Sequence, residues 1–429
     1  MDKQIISSKQ LDEQYTVVHH PSGLDIMMWK KEGFSTVEAL FGTKYGSINN
    51  CFKTDDTNGF IQVPDGIAHY LEHKLFESDD NSSVFELYAQ TGAAANAFTS
   101  TDITAYLFSC TDNYEKSLEI LLDFVQSPYF TKENVEKEQG IIAQEIKMGD
   151  DSPTRKCFKN LLKAVYVSNP VRIDVAGTVE SIAKITPELL YECYNAFYNL
   201  HNMTLSIAGN IDEQKVLEIC DKKLKPSSDK HLQTSFPDEP ESVNEKRVCD
   251  YAAVGLPVFC IGFKTAAPRG REYVKKSVIA AMLLEQLIGQ TSPLYNALLE
   301  EGLINSALGT FVYTSSDRYF CCVIEGESKD PDEVARRIYA ELERLKKDGL
   351  DIEAFETDKR VRYGEKVASI NDVKACADAM LYYHFDCGDV TLFDDLDMIA
   401  SLTAAECEQA IDDILNAQRS SISIVTNKE

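Results

Sequence analysis

Basic residues are scarce in this chain. Lys and Arg total 43 against 69 Asp and Glu over 429 residues, a formal charge of −26, and such a balance does not suit a protein that must neutralise nucleic-acid phosphates. A long hydrophobic run is missing too. The longest apolar-looking stretch, residues 252–263, is interrupted by Gly255 and Pro257, so no membrane partner is expected. The first twenty residues contain no apolar core of the kind that directs export. The twelve cysteines lie scattered, without a CxxC or any paired spacing. That excludes a zinc ribbon or a dithiol redox motif and makes them small buried hydrophobes of a reducing compartment. These absences lead to the expectation of a cytoplasmic protein whose acidic surface favours cationic partners or substrates.

What remains is ordinary folded chain, 44% apolar and 26% charged, long enough for two or three domains of roughly 150 residues. One segment breaks the pattern. Residues 225–246 are rich in Pro, Ser and charge and have no apolar period, the marks of a linker. Taking it as residues 226–246 divides the chain into units 1–225 and 247–429.

Both units carry the same order of elements. In the first, strand-like alternation at 15–19, 24–30 and 37–46 precedes a helix at 66–76. Strands at 94–100 and 104–110, helices at 113–126 and 132–148, further helix to about 199 and a strand at 203–208 follow. In the second, a strand at 258–264 leads to helices at 272–290 and 293–301 and strands at 307–314 and 319–326. Helices at 331–347 and 352–369, further helix to about 417 and a strand at 421–426 complete it. Aligning Thr131 with Leu350 gives an offset of 350 − 131 = 219. The expected fold is α+β, with two similar domains from a degenerate internal duplication, each a mostly antiparallel sheet backed by helices.

The sharpest local feature is His69-Tyr-Leu-Glu72-His73. On a helix the two histidines lie about 40° apart around the axis, so both imidazoles can reach one cation. Glu72 lies about 60° to the other side of His69, within reach of a metal-bound water. This is the inverted H-x-x-E-H arrangement of a zinc ion with a carboxylate base. With only seven histidines in the chain, a chance match is rare, although a solvated helix face would also accommodate the pair. A third ligand must come from elsewhere. Helix 132–148 offers Glu138 and Glu145, seven residues apart and so on one helical face, and spacing alone does not choose between them.

The chain resembles the pitrilysin/insulinase family of zinc metallopeptidases, in particular its half-length bacterial members related to the zinc-bearing β subunit of mitochondrial processing peptidase. The resemblance rests on Asp65-Gly-Ile-Ala-His-Tyr-Leu-Glu-His-Lys-Leu-Phe, Thr91-Gly-Ala-Ala-Ala-Asn-Ala-Phe-Thr-Ser-Thr-Asp, Glu138-Gln-Gly-Ile-Ile-Ala-Gln-Glu145 and Ala176-Gly-Thr-Val-Glu-Ser-Ile, with Pro293-Leu-Tyr-Asn-Ala-Leu-Leu-Glu-Glu-Gly-Leu in the second half. It implies that His69, His73 and Glu145 bind zinc, that Glu72 is the general base and that Glu138 steadies the site from behind. It also implies that Asn96, Ala97 and Phe98 lie on a strand that receives the peptide substrate. In the second half the 219 offset puts Thr357 opposite Glu138 and Gly364 opposite Glu145, and helix 272–290 has no histidine. One Zn2+ per chain is therefore expected.

The resemblance further implies an Arg and a Tyr, in a Leu-Arg-x-x-x-Gly-Leu-x-Tyr run, that hold substrate. Here Leu298 and Asn305 occupy those positions, with Tyr313 and Arg318 nearby at a different spacing. The expected enzyme is a zinc endopeptidase of peptides or unfolded segments, working as a heterodimer with a homologous metal-less subunit that supplies the Arg and Tyr. The alternative is a non-catalytic peptide-binding or assembly subunit of the same fold.

Overall fold

The computed structural model describes residues 2–78 and 83–428. The first half opens with strands β1 (Asp2–Ser8), β2 (Glu13–His19), β3 (Asp25–Lys30), β4 (Val37–Thr43), β5 (Cys51–Lys53) and β6 (Ile61–Gln62). Helices α1 (Ile67–Lys74) and α2 (Val84–Thr91) lead to the hairpin β7 (Ala94–Thr99) and β8 (Thr104–Cys110). Helices α3 (Tyr114–Val125), α4 (Lys132–Asp150), α5 (Pro153–Val165), α6 (Val179–Ile182) and α7 (Pro187–Phe197) come next, followed by β9 (Met203–Gly209) and α8 (Glu213–Lys223). Strands β10 (Gln233–Thr234), β11 (Arg247–Tyr251) and β12 (Val258–Thr265) cross into the second half. It continues with α9 (Gly270–Ile288), α10 (Pro293–Glu300), β13 (Gly309–Ser315) and β14 (Tyr319–Glu327). Helices α11 (Pro331–Asp348), α12 (Ile352–Ser369), α13 (Val373–Asp386), α14 (Leu392–Ser401) and α15 (Ala404–Ile414) precede the last strand, β15 (Ser420–Thr426). No helix among the described residues is long and apolar enough to cross a membrane.

The five strands of the second large sheet repeat five of the seven strands of the first. The first has the order β1-β2-β3-β9-β4-β8-β7 and the second β11-β15-β12-β14-β13. Aligned from their β7 and β13 edges, all neighbours are antiparallel except the pairs β3 with β9 and β11 with β15, which are parallel. The repeat therefore includes β11, a five-residue strand next to the linker that the sequence pattern does not reveal. The linker is itself pinned: β10 pairs with β5. The Glu239 carboxylate accepts the backbone N–H groups of Val167, Ser168 and Asn169 at 2.9, 2.7 and 2.7 Å and pairs with Lys264 Nζ at 2.8 Å.

Central strands β4, β9 and β12 are buried at every position, which requires cover on both faces. The second cover comes from an exchange of helices. Helix α5 leaves its own half to lie across β12 and β15, and its counterpart α13 lies across β4 and β9. Each helix meets a strand glycine. A Cβ on Gly42 would come within 2.9 Å of Leu381 Cδ2 and 3.3 Å of Phe385 Cε2, and one on Gly262 within 3.1 Å of Leu161 Cδ2 and of Val165 Cγ2. Polar ties also match, with Ser206 Oγ donating to the Ala377 carbonyl at 2.7 Å and Cys157 Sγ to the Ser423 carbonyl at 3.3 Å. One continuous core cluster consequently joins Trp29 and Leu40 of the first half to Leu283, Ile324 and Leu381 of the second.

The halves also meet at the β7–β8 turn. Thr101 Oγ1 lies 2.7 Å from the Tyr319 hydroxyl, and Ser315 Oγ donates to Asp102 Oδ2 at 2.6 Å. Asp386, 7% exposed at the end of α13, faces Asp102. Burial and then the neighbouring Asp102 charge push its carboxyl up to about 8, against the opposing pull of Lys44 and Arg318.

Two outcomes follow from this packing. Gly262→Val should overpack the α5 contact and lower stability by about 1–3 kcal/mol, measured as a shift in urea midpoint at unchanged slope. Folded Asp386 keeps a proton that the unfolded chain releases near pH 4, so its contribution to stability should fall as pH rises from 4 to 8 and level off above. The stability difference between wild type and Asp386→Asn, measured by urea unfolding at pH 5, 7 and 9, should follow that curve. A flat difference would refute the buried protonated carboxyl.

Candidate metal centre

Helix α1 is aimed by backbone contacts. Gly66 precedes it at φ 91°, and a Cβ there would come within 2.5 Å of the Ala176 carbonyl oxygen; Gly177, at φ 73°, stands in the same relation to the Asp65 carbonyl, also at 2.5 Å. Side chains with a Cβ cannot approach this closely in a left-handed conformation. Ser181 Oγ donates to the Asp65 carbonyl at 2.8 Å and Asn50 Nδ2 to Asp65 Oδ1 at 2.8 Å. The Asp65-Gly and Ala176-Gly motifs are therefore two sides of one contact.

Helix α4 is set against α1 by polar groups. The Tyr70 hydroxyl donates to the Val135 carbonyl. Lys74, fully buried, reaches the Asn134 carbonyl at 3.2 Å and Glu77 at 2.5 Å. A capping box fixes where α4 begins: Thr131 Oγ1 accepts the Asn134 N–H at 3.2 Å and Asn134 Oδ1 accepts the Thr131 N–H at 2.9 Å.

This packing brings His69, His73 and Glu145 together. Their ligand atoms lie within 4.8 Å of one another, and no other such group of three occurs among the described residues. Glu145 offers one oxygen to each imidazole, Oε1 3.5 Å from His69 Nε2 and Oε2 3.5 Å from His73 Nε2. Donors held about 2.0–2.2 Å from a tetrahedral zinc ion stand roughly 3.3–3.5 Å apart, which matches the distance from each imidazole to its Glu145 oxygen, while the three-residue set with one atom from each spans up to 4.8 Å. Glu138, which spacing left level with Glu145, stands elsewhere: its Oε1 lies 2.9 Å from His73 Nδ1. That contact favours a proton on Nδ1 and leaves Nε2 on the side of Glu145, where a cation could take it. His69 Nδ1 is buried with no hydrogen-bond partner among the described residues.

The charges agree with this division. Burial would lower the His73 imidazole, but Glu138, Glu72 and Glu145 outweigh it and hold its pKa above the ordinary value. Burial would raise Glu138, yet His73 and Lys74 bring it below the usual carboxylate range. Glu145 is lowered first by the facing His69 imidazole. Glu72 Oε2 accepts the Thr99 hydroxyl at 2.6 Å, which ties α1 to the end of edge strand β7. Along that strand Asn96 and Phe98 face out, and Ala97 faces the first-half core.

The second half keeps the skeleton of this centre, in a register one residue later than sequence alignment gave. Gly42 and Gly262, which receive the exchanged helices, differ by 220, and that offset places Asp358 opposite Glu138 and Glu365 opposite Glu145 in place of Thr357 and Gly364. The buried Asp358 takes a hydrogen bond of 2.6 Å from Gln286 Nε2, as Glu138 takes one from His73. Helix α9 then aligns Met282-Leu-Leu-Glu285-Gln286 with His69-Tyr-Leu-Glu72-His73. Met282, Glu285, Asp358 and Glu365 line one cavity of about 450 Å³ beside edge strand β13. Glu72 and Glu145 have counterparts there in Glu285 and Glu365, and the two imidazoles are replaced by a thioether and an amide. The sequence signal was present in Glu285-Gln286, but without a histidine nothing drew attention to it.

Comparison with known proteins agrees with this architecture. Residues 63–179 match the profile described as insulinase (peptidase family M16), and residues 184–361 match that of the peptidase M16 inactive domain. The chain is 38% identical over 428 residues, 99% of each chain, to the Bacillus subtilis protein named uncharacterized zinc protease YmfH. The chain belongs to peptidase family M16. Among solved structures, an M16-like peptidase from Alicyclobacillus acidocaldarius superposes with a TM-score of 0.94 at 32% identity, covering 99% of this chain and 100% of that one. Pitrilysin has the same fold, with a TM-score of 0.73 at 16% identity. There the match takes in all of this chain but only 47% of pitrilysin.

If the second half of this M16 chain keeps the metal skeleton, two substitutions should rebuild it. Met282→His combined with Gln286→His should raise bound zinc by about one ion per chain over the parent, measured by elemental analysis after dialysis. No gain in a folded double variant would reject the correspondence.

Proposed function

We propose that this chain is a zinc-dependent endopeptidase of peptides or unfolded segments that acts in the cytoplasm as one subunit of a two-subunit enzyme. The observation that carries the reading is the convergence of His69, His73 and Glu145 with Glu72 alongside them. These three residues would hold one Zn2+, which when bound acidifies a water molecule and polarises the peptide carbonyl. Glu72 takes the proton of the attacking water at its carboxylate and delivers it to the departing amine. Glu138 keeps His73 in the tautomer that leaves Nε2 free, and its negative charge stabilises the imidazole as it donates electron density.

Strand β7 supplies the peptide's place. It is the edge of its sheet, and an extended peptide pairing with its backbone gains main-chain hydrogen bonds along residues 96–98. Asn96 Oδ1 accepts the Ala97 N–H at 2.9 Å and yields that contact to the peptide. Next to the metal ligands a trench of about 950 Å³ combines Phe76, Phe85 and Tyr129 with Glu77 and Glu133. Such walls, on a chain of charge −26, favour segments in which apolar residues alternate with Lys or Arg.

The two-subunit part rests on what the second half lacks. Leu298 is fully buried, and Asn305 donates to Glu327 Oε2 at 2.8 Å, so neither position offers a free cation or phenol. Arg318 lies 3.9 Å over the Phe236 ring, and Tyr313 packs on Phe158 and Tyr319. A homologous metal-less subunit carrying the Arg and Tyr would complete the enzyme, and pitrilysin, about twice this length, leaves room for a second such unit in one chain.

The test separates metal from chemistry. Purified chain should carry about one zinc, lost in His69→Ala, His73→Ala and Glu145→Gln. Glu72→Gln should retain the ion and reduce peptide cleavage by about 10²-fold or more in the presence of the homologous subunit. Full turnover by Glu72→Gln would sink the mechanism, and vigorous cleavage by the isolated wild-type chain would sink the two-subunit part.

A further inference from the structure

Glu72 is the one site carboxylate placed to work on water, and a base of this kind must present a single oxygen in a single direction. Its side chain has three rotatable bonds and projects toward an open trench, so the backbone of α1 alone leaves the carboxylate free to turn. Only one side-chain hydrogen bond to it is present among the described residues: Thr99 Oγ1 to Glu72 Oε2, at 2.6 Å.

The direction of that bond is fixed by chemistry. An ionised carboxylate only accepts, so the single hydroxyl proton of Thr99 goes to Glu72. The neighbouring Thr104 donates its own single hydroxyl proton to the Tyr45 carbonyl at 2.8 Å, and at 3.3 Å it is a more distant neighbour of Thr99 Oγ1 than Glu72 Oε2 is at 2.6 Å, so the Thr99 proton is directed at Glu72. Within β7 the inward face is Ala95, Ala97 and Thr99 by strand alternation, and Thr99 alone of the three has a donor. The turn that follows is clamped to the second half through Thr101 to Tyr319 and Asp102 to Ser315, so the hydroxyl is held from behind.

We propose that Thr99 is a positioning residue for catalysis: it holds Glu72 Oε2, leaves Oε1 to face the water, and fixes the base relative to the strand on which the peptide lies. The proposal rests on the reading of Glu72 as the base. Thr99 touches no reacting atom; it acts through Glu72, and because its side chain points to α1 and not to the outer edge of β7, it has no share in peptide binding.

The test uses Thr99→Val, which keeps the branched shape and deletes the hydroxyl, and Thr99→Ser, which keeps the hydroxyl. In the preparation that cleaves peptide, with the homologous subunit added, Thr99→Val should lower kcat about tenfold with KM within twofold and zinc content unchanged. Thr99→Ser should recover most of the loss. Adding Thr99→Val to Glu72→Gln should cost nothing further, since the two act as one unit. A crystal structure of zinc-loaded Thr99→Val, which needs no turnover, should show the Glu72 carboxylate spread over more than one rotamer. Wild-type kcat in Thr99→Val, failure of Thr99→Ser to recover it, or an unmoved Glu72 in the crystal would each overturn the proposal. Full activity in Glu72→Gln would instead overturn the base itself, so the two failures are distinguishable.

Discussion

The constraint on which this molecule depends is the exchange of α5 and α13 between the halves. Central strands that are buried on both faces, one face of β4 and β9 carrying Glu38, Gly42, Thr204 and Ser206, need cover on each, and neither half keeps its own helix for that purpose. Each covers the other. Gly42 and Gly262 mark the cost of the arrangement, since a strand gives up side-chain packing and conformational ease at a glycine and regains it only when another helix fills the space. The halves are in this sense not two domains joined by a tether. The linker behaves accordingly, with the Glu239 carboxylate held by three successive backbone N–H groups and Lys264.

Within this frame the two clusters differ in chemical type at only two of their side chains. Helix, carboxylates and edge strand recur in both halves, with a buried acid behind the last residue of the motif in each: Glu138 behind His73, Asp358 behind Gln286. What differs is the donor atom. A neutral imidazole with its far nitrogen held by a carboxylate is a strong zinc ligand, and a carboxamide or thioether in its place is a poor one. The remaining acids share their cavity with Arg362, which only partly offsets their mutual repulsion. Burial, with Asp358 and Glu365 nearby, raises the Glu285 carboxyl above its ordinary value.

Much of this was legible in the sequence, and what was not has identifiable causes. Strands and helices with a clear period, such as 258–264 against the observed Val258–Thr265 and 352–369 against Ile352–Ser369, were found nearly to the residue. The histidine pair was legible because helical spacing puts 69 and 73 on one face. Glu138 and Glu145 were not separable, because both lie on the same face of α4 and only their height along α1, set by Tyr70 and Lys74, divides them. The helix exchange was invisible, since an apolar stripe on α5 says that something is covered without saying which sheet. The second-half register was missed by one residue because a match at a helix start does not count the residues of the intervening loops, whereas glycines under the exchanged helices do. Thr99 had no signal at all; a threonine in a strand is expected for its β-branched shape alone.

The same exchange bears on the chemistry. The β7–β8 turn is a point where the first half's edge strand touches the second half, through Thr101, Asp102, Tyr319 and Ser315, and Thr99 at the end of the same strand reaches Glu72. From the joint between halves to Glu72 there are thus three residues of chain and one hydrogen bond. The second half contributes none of the three candidate ligands, yet it holds the end of the strand whose Thr99 reaches Glu72. The half without the imidazoles thus does two mechanical things: it covers the other sheet, and it holds the end of edge strand β7 through Tyr319 and Ser315.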